Sequence, residues 1–133
     1  MIAGDYWAGD NPDVRRLYFA NNQVSTPGTG SCQSNTHWGG EFTCPVVMVH
    51  RAGATLVDNV FTAGGTADGI RATGALLNVQ RNTWNLNAAG AVIQNFDTGA
   101  AGAQQYGSLA FFTDNQWNGA VSYTHLTLPT KNE

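Results

Sequence analysis

Three polar residues each stand three positions before a glycine: His50 before Gly53, Arg71 before Gly74 and Gln104 before Gly107. Aligned on those glycines they fall into one column. The two-residue period of a strand turns Val49 and Ile70 to the opposite side. Tyr106 and Thr73 share the polar face. An imidazole, a guanidinium, an amide and a phenol in one column suit contact with the hydroxyl groups of a sugar chain, so His50, Arg71, Gln104 and Tyr106 are the candidate ligand-binding residues. Cleavage asks for more. General acid/base hydrolysis needs two neighbouring carboxylates, and a calcium site needs several oxygens converging on one cation. Asp58 and Asp114 are the two acids that sequence patterning places, and Arg81 falls between them. That trio reads as a stacked surface ion pair that helps fix register. Asp68 lies in "ADG", ordinary turn chemistry. Asp5, Asp10 and Asp13 near the start lack the regular alternation of a calcium loop. No catalytic residue is assigned, no metal site, and no cofactor.

The elements that position these residues announce themselves as a repeat. "GALLNVQRNTWN" (74–85) and "GSLAFFTDNQWN" (107–118) share Gly, Leu, an apolar position, Asn, Trp and Asn in the same order. "GATLVDNVF" (53–61) is a shorter copy and "FANNQV" (19–24) a fainter one. All four read apolar-x-x-Asn-x-apolar, with the asparagines at 22, 59, 82 and 115. Their intervals are 37, 23 and 33. The longest contains the segment 32–44, and removing it leaves an interval close to 23. The interval of 33 contains "NFDTGAAGAQQ", a small-residue stretch suited to an insertion. One winding period with two insertions accounts for all three.

Short apolar runs, frequent glycine and the absence of helical periodicity predict strands in "VVMVH", "GIRAT", "AVIQNF" and "LAFFT". Equivalent residues of successive windings then stack at the ~4.8 Å strand spacing. A column of Asn22, Asn59, Asn82 and Asn115 is expected to hydrogen-bond along the stack, in a left-handed turn conformation that Asn tolerates. Val24, Phe61, Trp84 and Trp117, two residues on, are expected to form an inward apolar ladder. Trp7 and Trp38 lie outside it, as exposed stacking surfaces for sugar or as edge covers. Over residues 14–119 this pattern resembles the right-handed parallel β-helix of pectin-lyase-like proteins. The resemblance implies an all-β, single-stranded solenoid of about four coils, with chemistry, where it exists, on the outer face of one sheet.

Cys32 and Cys44 bracket the polar segment "CQSNTHWGGEFTC". A disulfide here closes an excursion and implies an oxidising compartment; two free thiols are the alternative. Adding His37 gives a spacing that matches no zinc pattern.

Charge narrows the partners. The 133 residues carry a net charge of −3 with no basic stripe to neutralise phosphates, which argues against nucleic acid. No apolar run approaches the ~20 residues of a membrane span, and no signal peptide is visible. Residues 121–130, "VSYTHLTLPT", resemble the conceptual translation of a transposase mosaic end joined to a sequencing adapter. The expected organisation is therefore a partial β-helix domain over 1–120 and an adapter-derived tail over 121–133. Without that tail the chain has no lysine. Low charge and abundant Asn, Thr and Gly lead us to expect a secreted or cell-surface β-helix with a binding or scaffolding role toward polysaccharide. The alternative is a fragment of a polysaccharide lyase or glycoside hydrolase of the same architecture. A β-sandwich carbohydrate-binding module offers no reason for the 23-residue period. Oligomeric state is not legible.

Overall fold

The computed structural model describes residues 2–4, 16–34, 40–50, 52–94, 96–97, 104–105, 108–119 and 125–126. Trp7, His37, Trp38, Tyr106 and the aspartates at 5, 10 and 13 lie outside them. Every element among the described residues is a strand: β1 (Ile2–Gly4), β2 (Arg16–Ala20), β3 (Gln23–Thr26), β4 (Ser31–Ser34), β5 (Gly40–Thr43), β6 (Val47–His50), β7 (Gly53–Val57), β8 (Val60–Ala63), β9 (Ile70–Thr73), β10 (Leu76–Gln80), β11 (Thr83–Leu86), β12 (Ala91–Gln94), β13 (Phe96–Asp97), β14 (Gln104–Gln105), β15 (Leu109–Thr113), β16 (Gln116–Gly119) and β17 (His125–Leu126).

Three parallel sheets take up most of them. The first is ordered β2-β7-β10-β15, the second β3-β8-β11-β16 and the third β1-β6-β9-β12-β17. From β2 onward the chain visits the first, second and third sheets in that order and repeats the circuit. Two antiparallel hairpins interrupt it: β4–β5 between the second and third sheets, and β13–β14 between the third and first. Cys32 and Cys44 are joined by a disulfide at the base of the first hairpin. The hairpins fall in the two intervals that exceed the basic period.

Strand alternation sorts the side chains. In the first sheet Leu17, Ala54, Leu77 and Ala110 form one inward column and Phe19, Leu56, Val79 and Phe112 another. The second sheet turns Val24, Phe61, Trp84 and Trp117 inward, in register. Phe61 stacks on Trp84 with ring centroids 4.2 Å apart, and Trp84 on Trp117 at 5.2 Å. Val47, Val49, Ile70, Ala72, Ala91 and Ile93 close the core from the third sheet. Fully burying each of the larger groups contributes about 1.5–3 kcal/mol. The core is complete at the central circuits and half-exposed at the outer ones.

The corners between the first and second sheets are two-residue turns, and the second residue of each is an Asn, buried on the two central circuits and half-buried on the outer two. Asn59 and Asn82 are almost wholly buried. Asn59 donates from its backbone N and its Nδ2 to Oδ1 of Asn82, both at 2.9 Å. Asn82 does the same to Asn115 at 3.0 Å. Asn22 does so to Asn59 at 2.9 and 3.3 Å. The second Nδ2 proton of Asn59, Asn82 and Asn115 reaches the carbonyl of Phe19, Leu56 and Val79, on the preceding circuit. An interior amide thus fills two donor and two acceptor positions, which burial requires.

The left-handed conformation sits one residue earlier than the sequence suggests. Asn21, Asp58, Arg81 and Asp114 have φ of 59°, 57°, 52° and 57°. That residue makes the bend, and the Asn after it is free to swing its side chain inward. The bending residues also stack on the surface. Arg81 grips Asp58 with Nε to Oδ1 at 2.9 Å and Nη2 to Oδ2 at 3.1 Å. Asp114 adds a weaker attraction from the other side. The opposite corner relies on glycine. Gly28 has a φ of 69°, and a Cβ there would collide with the carbonyl of Gly64 on the next circuit.

Candidate ligand-binding face

The column proposed from glycine alignment does not form. In the third sheet His50 lies opposite Thr73, whereas Arg71 lies opposite Met48 and Val92. His50 is buried. Arg71 is held by Asp68, Nε to Oδ2 at 3.1 Å, and its guanidinium lies 4.4 Å from the centre of the Phe42 ring. Phe42 belongs to the disulfide-closed hairpin, which therefore covers this part of the outer face. Gln104 is in another hairpin, opposite Asp97, and Tyr106 lies outside the described residues. The cause is register. Gly74, with φ of 58°, is a corner residue one step after β9, whereas Gly53 opens a strand and pairs with Leu76. Aligning the two glycines displaced His50 from Arg71 by two residues.

An open face exists on the first sheet. With Phe19, Leu56, Val79 and Phe112 directed inward, the residues just before them must face out. They are Tyr18, Thr55, Asn78 and Phe111, in one register column. Beside it runs a second outward column, Arg16, Gly53, Leu76 and Leu109. Tyr18 is 72% exposed and Phe111 54%, and both leucines are exposed as well. Between Arg16, Leu76 and Phe111 the residues Gly53, Thr55 and Asn78 leave a groove of about 490 Å³ whose rim includes Gln80 and Thr113; Tyr18 stands on the same face, on the strand that carries Arg16. Tyr18 and Phe111 are separated by three strand spacings, about 14 Å. Gln80 Nε2 donates to Asn78 Oδ1 at 2.7 Å, fixing the amide orientation and leaving Asn78 Nδ2 with no partner among the described residues. Comparison of the chain with protein-family models, curated proteins and solved structures finds no match.

The chemistry of this face follows from its side chains. Aromatic rings present apolar faces edged by polar groups, and the phenol of Tyr18 adds a donor. Thr55, Asn78, Gln80 and Thr113 supply hydroxyls and amides, and Arg16 is the single charged group lining the groove. Such a mixture of rings with a few oriented polar groups is the usual make-up of a small-molecule or chain-binding cleft. Among the described residues no carboxylate lines the groove, and no three His, Cys, Asp or Glu side chains converge in a metal-holding group. The sequence held the signal for this face. Once the apolar position three residues before each ladder Asn is read as inward, Tyr18 and Phe111 must be outward.

Proposed function

We propose that the chain is a right-handed parallel β-helix resembling the pectin-lyase-like fold. In this reading it acts as an extracellular or cell-surface domain that holds polysaccharide on the outer face of its first sheet. The cyclic visiting of three parallel sheets supports the coil. The disulfide supports an oxidising compartment. The same reading sets residues 121–133 apart as translated adapter sequence. One observation carries the ligand class: two exposed aromatic side chains, on strands about 14 Å apart, end a register column whose middle is Thr55 and Asn78, beside an open groove that Phe111 lines. Ring faces stack on the apolar faces of pyranoses, and the groups between them pair with sugar hydroxyls.

Affinity electrophoresis through gels carrying a neutral glucan, a galactomannan or polygalacturonate tests this. Retardation by at least one is expected. Tyr18→Ala and Phe111→Ala should each weaken it about tenfold, a loss of ~1.4 kcal/mol, while leaving the unfolding midpoint unchanged because both rings are exposed. Mobility unaffected by every glycan, or retardation indifferent to the double substitution, would refute the reading.

A further inference from the structure

The groove on the first sheet has a polarity that a neighbouring charge imposes. A guanidinium donates hydrogen bonds and accepts none. Arg81 Nη1 donates to Gln80 Oε1 at 3.4 Å, so the oxygen of that amide faces the arginine and the nitrogen faces away. Gln80 Nε2 accordingly donates to Asn78 Oδ1 at 2.7 Å. Asn78 thus keeps its oxygen toward Gln80 and leaves its Nδ2 for the groove that it lines. Arg81 is itself anchored on both carboxylate oxygens of Asp58. Two neutral amides, each able to flip in isolation, are set in one sense.

Hydrocarbon surrounds that donor. Phe111 is the partner of Asn78 on the next strand, and Leu76 lies two residues back on the same face. Both are more than half exposed and both line the groove. Opposite Leu76, Gly53 contributes no side chain, so the space there stays open. The outward residues of β7, β10 and β15 carry no charge. The complementary group therefore has an acceptor oxygen with no proton to give, joined to a small apolar body. A carboxylate meets only the first condition, and stripping its charge of water beside Leu76 and Phe111, with no cation on those three strands, is costly. A hydroxyl can donate or accept, so a fixed donor does not select it. An acetamido group meets both conditions: its carbonyl accepts and its methyl is apolar.

We propose that the groove reads an acetylated sugar, with the acetamido carbonyl on Asn78 Nδ2 and the methyl against Leu76 and Phe111. The inference rests on the polysaccharide reading above and adds the substituent that the chain must carry. Arg81 acts through Gln80 and Asn78, as a positioning residue: its charge selects which end of each amide the sugar meets.

Titration calorimetry on the full chain with the hexamers of chitin, cellulose and chitosan tests the proposal. These share one backbone and differ at a single carbon of each sugar, which carries an acetamido, a hydroxyl or an ammonium group. The chitin hexamer is expected to bind about tenfold more tightly than the cellulose hexamer, from one hydrogen bond and one buried methyl. The chitosan hexamer, whose ammonium only donates, should bind weakest. Gln80→Glu supplies a carboxylate that still accepts from Arg81 but turns an oxygen on Asn78. The Asn78 amide then flips to donate to it and shows Oδ1 to the groove. The ratio of chitin to cellulose affinity should fall to one or below, and Asn78→Ala should also abolish the preference. Arg81→Met, which frees both amides to flip, should lower the ratio, and Arg81→Lys should restore it. Equal affinity for the two hexamers, or a ratio that Gln80→Glu and Arg81→Met both leave intact, overturns the inference while the polysaccharide reading stands. If no hexamer binds, the inference falls, and retardation in the glycan gels decides the polysaccharide reading separately.

Discussion

Replacing Asn82 with alanine removes the middle of the amide stack. Asn82 Oδ1 accepts from Asn59 N and Nδ2, and its own Nδ2 supplies Leu56 O and Asn115 Oδ1. After truncation Asn59 Nδ2 keeps Phe19 O, and Asn115 Oδ1 keeps the Asn82 backbone N–H. The Asn59 N–H loses its partner, in a site where Asn59 and Asn82 are each 1% exposed and water does not enter readily. The Leu56 carbonyl loses the amide but stays in the ladder of β7 with β10. One stranded buried donor at about 1–3 kcal/mol, with the two amide bonds lost at about 0.5–1.5 kcal/mol each, gives an expected loss of about 3 kcal/mol, a large share of a typical domain stability of ~5–15 kcal/mol. Equilibrium urea unfolding at one low protein concentration reads this as a shift in midpoint at constant slope. Asn85→Ala is the control. Asn85 bonds Thr62 at 3.2 Å and Asn118 at 2.8 Å on the outer face, where water replaces what is lost, so its cost should stay below ~1 kcal/mol. Equal losses from the two substitutions would refute the claim that buried amide pairing holds the circuits together. Asn82→Asp refines the test. Its carboxylate keeps both acceptor roles and forfeits both donor roles, and burial raises its pKa above the unfolded value near ~3.9. The deficit against wild type should be greatest above that raised pKa. It should shrink as pH falls toward 3.9, where a neutral carboxyl donates one of the missing bonds.

Other expectations follow from the same geometry. Trp84 is fully buried and its Nε1 has no hydrogen-bond partner among the described residues. Trp84→Phe removes that unpaired donor along with some contact area, so calorimetry should show a loss below ~2 kcal/mol, against about 3–5 kcal/mol for Trp84→Ala. Reducing the Cys32–Cys44 disulfide, whose cysteines are 12 positions apart, should lower unfolding stability by about 3 kcal/mol, and a Cys32→Ser, Cys44→Ser variant should match the reduced protein. Arg81 holds the Asp58 carboxyl below its ordinary range, chiefly by direct hydrogen bonding. A depressed folded pKa means the contribution is present above the unfolded value near ~3.9 and is lost as pH falls through the folded one. Both side chains are well exposed, so Asp58→Asn should abolish a small pH-dependent component of stability that high salt also suppresses.

How far the chain can be read without coordinates depends on the element. The offsets that pair β2 with β7, β7 with β10 and β10 with β15 are the intervals between the asparagines, 37, 23 and 33. A buried amide that must reach its neighbour in the next circuit cannot slip, so its spacing in sequence carries the register of the two sheets it joins. The third sheet has no such marker. Its strands pair at offsets that differ between circuits, Val47 with Ile70 and then Ile70 with Ala91, because the corners leading into it vary in length. Between β6 and β9 the offset is still the 23 of Asn59 and Asn82; glycine alignment fails there because Gly53 opens a strand whereas Gly74 turns a corner, so the two are not equivalent. The turn conformation was misassigned for a related reason. Left-handed backbone and buried amide both favour Asn, but the two demands fall on adjacent residues, and the bending positions Asn21, Asp58, Arg81 and Asp114 share no single residue type that would mark them. The covering of Arg71 by Phe42 depends on how a hairpin folds back, which local pattern does not encode.

What the repeat constrains also tells where specificity can reside. Inward positions keep one character around the stack: Phe19, Leu56, Val79 and Phe112 are all apolar, and the corner residues Asn22, Asn59, Asn82 and Asn115 are identical. The outward column between them runs Tyr18, Thr55, Asn78 and Phe111, and its neighbour runs Arg16, Gly53, Leu76 and Leu109. Gly53 is not at positive φ, so the backbone does not require glycine there. Glycine inside a strand is unfavourable on its own account. Its effect is to leave the hollow between Arg16 and Leu76 that opens the groove. Stability and recognition thus use different residues of the same strands: alternate side chains hold one circuit to the next, and the ones between them are free to shape a surface.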